Sequence, residues 1–393
     1  MASEVPLPHP QFILSTLIVP MDRLIVIQQI SRTTSRVMHL RENTQTGGAS
    51  AVSRRTLLRT GTGIAAAAAS GGLSLFAAGS ASATVPTSQR FVFEGAGGNP
   101  VVPAALHQPY WAMQSFAIDH VHGHMYFVQT KVGSANGDLW MTRTDMTGTV
   151  LGAMALHGFD HGSSIAIQPD TFGSPYVWLA GDWRSLSPGT PPNSHVICRI
   201  KYSDEGVLDY SDSARVWTFP IGLSDFRDCP RPSIDPYTNR LLIRYMGTTS
   251  PWRLALFDLP AVINKGISDT TPILAKRALP TNAQLGLAES DHFQGVTSYG
   301  QYAYLSYGGP PAKLSDPAKP SYLVRLDMNK TGDSVEQVFQ TKAGESLPGR
   351  EPQGMAIWRS PDGPRLAFGF SSRLIDSPDE FRATVFYKSD LAG

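Results

Sequence analysis

Arg350-Glu351-Pro352-Gln353-Gly354-Met355-Ala356-Ile357 sets a polar residue beside small residues and then a β-rich run, and the same order recurs four more times along the chain. The other copies are Gln114-Ser115-Phe116-Ala117-Ile118-Asp119, His161-Gly162-Ser163-Ser164-Ile165-Ala166-Ile167, Arg231-Pro232-Ser233-Ile234-Asp235 and Phe293-Gln294-Gly295-Val296-Thr297-Ser298. Their starts lie 47 to 70 residues apart, which is the spacing of a repeat architecture.

Alternation of apolar and polar residues, with turn residues between, divides each repeat into strands. After the quoted segments the first repeat continues with 125–130, 138–144 and 150–156, and the second with 176–180, 195–201 and 214–219. The third adds 240–246, 253–258 and 272–278, and the fourth 302–307, 322–327 and 335–340. The fifth has only 365–370 and 383–388, one strand short, and residues 89–94 supply a strand at the other end of the domain. An all-β, five-bladed β-propeller follows. Its blades are four-stranded and antiparallel, and the last is closed by the N-terminal strand, which removes the open edge. Seven blades would need about 40 residues each, narrower than the spacing seen. No stretch shows sustained helical periodicity.

The residues that carry the repeat also carry a likeness. Gln114-Ser115-Phe116-Ala117-Ile118-Asp119, Gly137-Asp138-Leu139, Gly158-Phe159-Asp160-His161-Gly162, Phe293-Gln294-Gly295 and Arg350 to Ala356 resemble the signatures of one propeller family. That family includes receptor-binding proteins of staphylococcal phage tails and actinobacterial proteins labelled teichoic acid biosynthesis protein C. The resemblance runs from about residue 88 to the C-terminus. It implies a five-bladed propeller, a link to cell-wall glycopolymers and a secreted actinobacterial member, but no particular reaction. One departure concerns Asp160, where relatives commonly carry Gly; a carboxylate there is placed to orient His161 or alter its charge.

In such a ring the first residues of each innermost strand converge at one mouth of the central channel. Gln114, His161, Arg231, Gln294 and Gln353 hold those positions, with His292 and Glu351 two residues ahead at the rim. The set suits a glycopolymer ligand. Amides donate to and accept from sugar hydroxyls, Arg231 can grip a phosphate or uronate through two parallel bonds, and His161 can donate to the same anion or act as a base. Tyr110, Trp111, Trp183 and Tyr299 are candidates for stacking on sugar rings. Two functions fit: a module that binds a teichoic-acid-like or uronate-containing glycopolymer, and a polysaccharide lyase in which His161 is the base and Arg231 neutralises the carboxylate.

Other chemistry is less well supported. His120, His122 and His124 resemble a metal cluster but fall at a turn near Gly123 that breaks a shared face, so no metal site is expected there. A glycosidase needs two close carboxylates, and Glu351 has only Asp160 or Asp291 as companions. Neither a G-x-S-x-G elbow nor a P-loop is present, and no cofactor is specified.

Composition bounds the rest. Charged residues are 17% and hydrophobic residues 41% of the 393, and the 30 Pro and 36 Gly suit short strands and turns. The formal net charge is +1, but residues 1–83 hold seven Arg and three acids, which leaves the remainder at −3. That balance gives no electrostatic reason to expect a nucleic-acid or anionic-membrane partner. Ser53-Arg54-Arg55-Thr56-Leu57-Leu58, an Ala/Gly-rich stretch to Gly79 and Ala81-Ser82-Ala83 follow the order of a twin-arginine export signal with its cleavage site. Residues 1–83 are therefore read as a leader, with 1–37 as a mis-assigned start before Met38, and 84–393 as the propeller. The expected product is a secreted or cell-wall-associated monomer with no membrane insertion after cleavage. Cys198 and Cys229 are the two cysteines, and spacing leaves their pairing open.

Overall fold

In the computed structural model, residues 84–130, 136–249 and 252–393 are described. Residues 1–83, read above as a leader with Arg54-Arg55 and Ala81-Ser82-Ala83, lie outside them. Five antiparallel sheets form a five-bladed propeller. Blade one holds Ala112–Asp119, His124–Thr130, Leu139–Asp145 and Val150–His157, and blade two Ile165–Gln168, Tyr176–Gly181, Val196–Lys201 and Val216–Gly222. Blade three holds Phe226–Asp235, Arg240–Gly247, Trp252–Asp258 and Ile273–Ala278, and blade four His292–Tyr299, Tyr302–Gly308, Ser321–Asp327 and Gln337–Thr341. Blade five holds Glu351–Ser360, Gly363–Arg373 and Phe381–Lys388.

The fifth blade is closed from the N-terminus, but by a different segment from the one read in the sequence. Gly97–Ala104 pairs with Phe381–Lys388, whereas Arg90–Phe91 pairs with Leu391–Ala392 in a separate two-stranded ribbon. Pro100 and Pro103 give the closing segment the look of a loop. On an outermost strand one row of N–H groups faces away from the ladder, so proline is tolerated there, and two register shifts accommodate the irregular backbone. Residues 89–94 alternate like a strand for another reason: Phe91 and Phe93 are fully buried between blades four and five, and Tyr304 Oη accepts the Phe91 N–H at 3.0 Å. Two features were not visible in the sequence. Val207–Asp209 and Ile267–Ser268 add short parallel strands to the outer edges of blades one and two, and two short helices occur at Leu259–Lys265 and Asn282–Leu285.

The apolar residues gather into five buried clusters among the described residues, one on each seam between neighbouring blades. At the axis the inner strands touch in sequence around the ring, and this explains the small residue after Gln114, Gln294 and Gln353. Ser115 Oγ donates to the Gly162 carbonyl at 2.6 Å, Ser164 Oγ to the Pro232 carbonyl at 2.7 Å, and Ser233 Oγ to Thr297 Oγ1 at 3.0 Å. The circle closes through two glycines: a Cβ on Gly295 would sit 2.7 Å from the carbonyl carbon of Gly354, and one on Gly354 would sit 2.8 Å from Ser115 Cα. Larger side chains would push the blades apart.

Candidate functional site

In four of the five repeats the polar member sits at or beside a fault in strand register. Inner-strand pairing shifts between Met113 and Ser115 around Gln114, just before Arg231, between Phe293 and Gly295 around Gln294, and between Pro352 and Met355 around Gln353. A bulge re-aims its side chain out of the pleat, here four times at the same end of the ring. His161 precedes its strand, Ile165–Gln168. Chain connections at this end include the long segments 182–195, 309–320 and 374–380, whereas several turns at the other end are as short as 120–123, 236–239, 300–301 and 361–362. Long loops on a rigid scaffold are where binding groups concentrate.

The mouth residues fall into two groups. In the first, Gln294 Nε2 donates to Glu351 Oε1 at 3.0 Å and Gln353 also bonds that carboxylate. Burial raises the Glu351 pKa above the usual carboxylate range, opposed by these bonds and by nearby His292 and Arg373. Gln114 is buried, and among the described residues its amide has no side-chain hydrogen bond to the protein.

The second group centres on a buried ion pair. Arg231 Nη1 donates to both carboxylate oxygens of Asp160, at 3.2 and 3.0 Å, and to Ser194 Oγ at 3.1 Å. Asp160 thus pairs with Arg231 and accepts the Gly162 N–H, and it has no hydrogen bond to the His161 ring. His161 is exposed to solvent. Desolvation lowers its pKa below 6.5, Arg231 adds to the lowering, and Asp160 opposes it. The lowering favours the neutral ring. Cys198 and Cys229 are unpaired and buried, and burial pushes the Cys229 thiol up to about 12.

Beside this mouth a cavity of about 560 Å³ opens between blades three and four, lined by Arg231, Arg244, Trp252, Asp291, His292 and Tyr307 among others. Arg244 is its most unusual member. The side chain is 4% exposed and its Nε has no hydrogen-bond partner. Its guanidinium carbon lies 3.5 Å from the Trp252 ring centroid and 3.6 Å from that of Phe293. No carboxylate pairs with it among the described residues, and desolvation, partly offset by Tyr307, pushes its pKa down to about 9. Arg244 is still protonated at neutral pH. A desolvated cation held between two aromatic faces with open hydrogen-bonding capacity has the chemistry to accept an anion.

Three of the residues read from the sequence, Arg231, Asp291 and His292, border this cavity; Gln294, Glu351 and Gln353 form the neighbouring cluster, and Gln114 and His161 complete the mouth. Tyr299 is at the far end of its strand, packed against Tyr237 and Phe91, away from the mouth. Trp111 packs edge-on against Trp140. The sequence reading missed Arg244. Its signal is a single charge inside the apolar run Leu241-Leu242-Ile243-Arg244-Tyr245.

No protein-family model and no curated protein matches the chain. Among solved structures it is similar to the tail fiber of Staphylococcus aureus phage P68, with a TM-score of 0.56 and 14% identity over 75% of this chain and 53% of the fiber. The chain thus spans about half the length of that fiber. It is also similar to a GH43 endo-arabinanase from Bacillus licheniformis, with a TM-score of 0.40 and 12% identity over 72% and 96% of the two chains. An exo-β-1,3-galactanase from Clostridium thermocellum gives a TM-score of 0.39 and 10% identity over 71% and 60%. The tail-fiber likeness supports the propeller fold and, at this identity, the fold alone.

Proposed function

We propose that this protein is a secreted module that binds an anionic, teichoic-acid-like or uronate-containing glycopolymer on its loop-bearing face, with Arg244 holding the phosphate or carboxylate. The observation that carries the reading is Arg244 itself, buried, charged and without a carboxylate in a cavity large enough for a sugar residue. The amides of Gln114, Gln294 and Gln353, outside the cavity at the neighbouring channel mouth, supply uncharged partners to the rest of the polymer, and His292 lines the cavity. The resemblance of the repeat residues to proteins linked with cell-wall glycopolymers, and the fold shared with a phage tail fiber, point the same way. Calorimetric titration of the purified domain with a panel of teichoic-acid and uronate polymers tests the proposal; absence of binding to every anionic polymer would remove it. Export through the twin-arginine pathway belongs to the same proposal. Precursor with both Arg54 and Arg55 replaced by Lys should stay inside a host that secretes the wild type.

A lyase is the second reading, in which the lowered pKa of His161 favours the neutral imidazole that a base requires. Arg231 already serves Asp160, so the neutralising charge in that reading also falls to Arg244. Ultraviolet absorbance of an unsaturated product on uronate polymers, lost in His161→Ala, distinguishes catalysis from binding.

A further inference from the structure

The cavity that contains Arg244 also contains acid. Asp291 is 7% exposed, and its Oδ2 accepts the Ala288 N–H at 3.0 Å. No Lys, Arg or His lies within ion-pair distance of it among the described residues. Glu289, exposed at the rim, has no ion pair there either. Arg244 and Asp291 line the same space, and no ion pair joins them. A purely anionic ligand seated on Arg244 meets repulsion from Asp291 and Glu289. A ligand with an amine beside its anion satisfies both walls at once.

Resting on the reading that Arg244 holds the anion, we infer that this cavity selects a zwitterionic sugar residue, one carrying a phosphate or carboxylate together with a free amine. The anion lies against the Arg244 guanidinium, and the ammonium points to Asp291 with Glu289 behind it. Pairing a buried charge removes the cost of leaving it unpaired, so N-acylation of the amine is felt as lost affinity.

The test is calorimetric or NMR titration of the full propeller domain with glucosamine 6-phosphate, N-acetylglucosamine 6-phosphate and glucosamine. The amino phosphate should bind about tenfold or more tighter than its N-acetyl form, the size of one charged hydrogen bond, and glucosamine should bind weakest. Asp291→Asn should abolish the preference while leaving the N-acetyl phosphate at wild-type affinity or better. Should that variant lose its fold with the Ala288 contact, Glu289→Gln, which should narrow the preference, and the wild-type comparison of the three sugars still decide. Equal binding of the two phosphates would overturn the zwitterion and leave the anion site standing. Glucosamine binding as tightly as its phosphate would also overturn it. Failure of both phosphates to bind would remove the anion site and this inference with it.

Discussion

Arg231 and Arg244 stand directly opposite each other in the antiparallel pair formed by the first two strands of blade three, on one face of the sheet. Like charges in that position destabilise a ladder. Arg231 is neutralised by Asp160, which reaches it from the loop before blade two, and Arg244 is left with aromatic rings and no carboxylate. Both arginines line the cavity, one neutralised by a carboxylate from the loop before blade two and the other uncompensated.

Removing Arg231 should therefore harm the fold more than the site. Arg231→Ala leaves Asp160 buried without a counter-charge, and loss of one partner from a buried pair costs about 3–5 kcal/mol. Urea denaturation should show that loss, with part of it recovered in the double variant Asp160→Ala/Arg231→Ala. A single variant as stable as the wild type would mean the pair holds nothing together.

His161 should titrate below 6.5, the value of an unperturbed imidazole. Because the folded-state pKa lies below the unfolded one, the unfolded chain takes up the proton first as pH falls. This group's contribution to stability is present above about 6.5 and is lost between that pH and its folded pKa. Histidine NMR titration reads the pKa directly, and Asp160→Asn should lower it further, since Asp160 is the group that raises it. A midpoint above 6.5 would contradict the desolvated mouth.

Closure predicts a contrast between two adjacent segments. Deleting residues 97–104 exposes the hydrogen-bonding edge of Phe381–Lys388 and should cause aggregation or loss of cooperative unfolding. Phe91→Ala leaves the ring closed but empties a fully buried site, and should cost about 3–5 kcal/mol with a single transition retained. The reverse pattern, with residues 97–104 dispensable, would assign closure elsewhere.

Much of this architecture is legible in the chain because closure imposes a repeated demand. At the axis the inner strands must touch, so Ser115, Gly295 and Gly354 are small, and each follows a polar residue lifted toward the mouth. The closing strand was misplaced because local alternation does not distinguish Phe91 and Phe93 filling a seam from a strand filling a sheet. Pro100 and Pro103 hid the true strand. The ring of Gln114, His161, Arg231, Gln294 and Gln353 follows from repeat position alone. Arg244 does not. Its partners come from Trp252 and from Phe293 in the next blade, and that juxtaposition appears only once strand register and the seam between blades are known.

The central claim is that a charged, uncompensated Arg244 binds the anion of a glycopolymer, and titration of the wild type and Arg244→Met in parallel tests it most directly. The folded-state pKa of Arg244, about 9 against 12.5 unperturbed, means its charge costs stability at every pH below that value. Replacing it with an apolar side chain of similar length should therefore leave thermal stability equal or higher. Affinity for the anionic polymer should fall about ten- to a hundredfold, as for the loss of a hydrogen bond to a charged group. A variant that is no less stable and binds far more weakly is the predicted result. A variant that unfolds more readily yet binds the polymer as tightly as the wild type would show that Arg244 serves the fold and that the anion is held elsewhere.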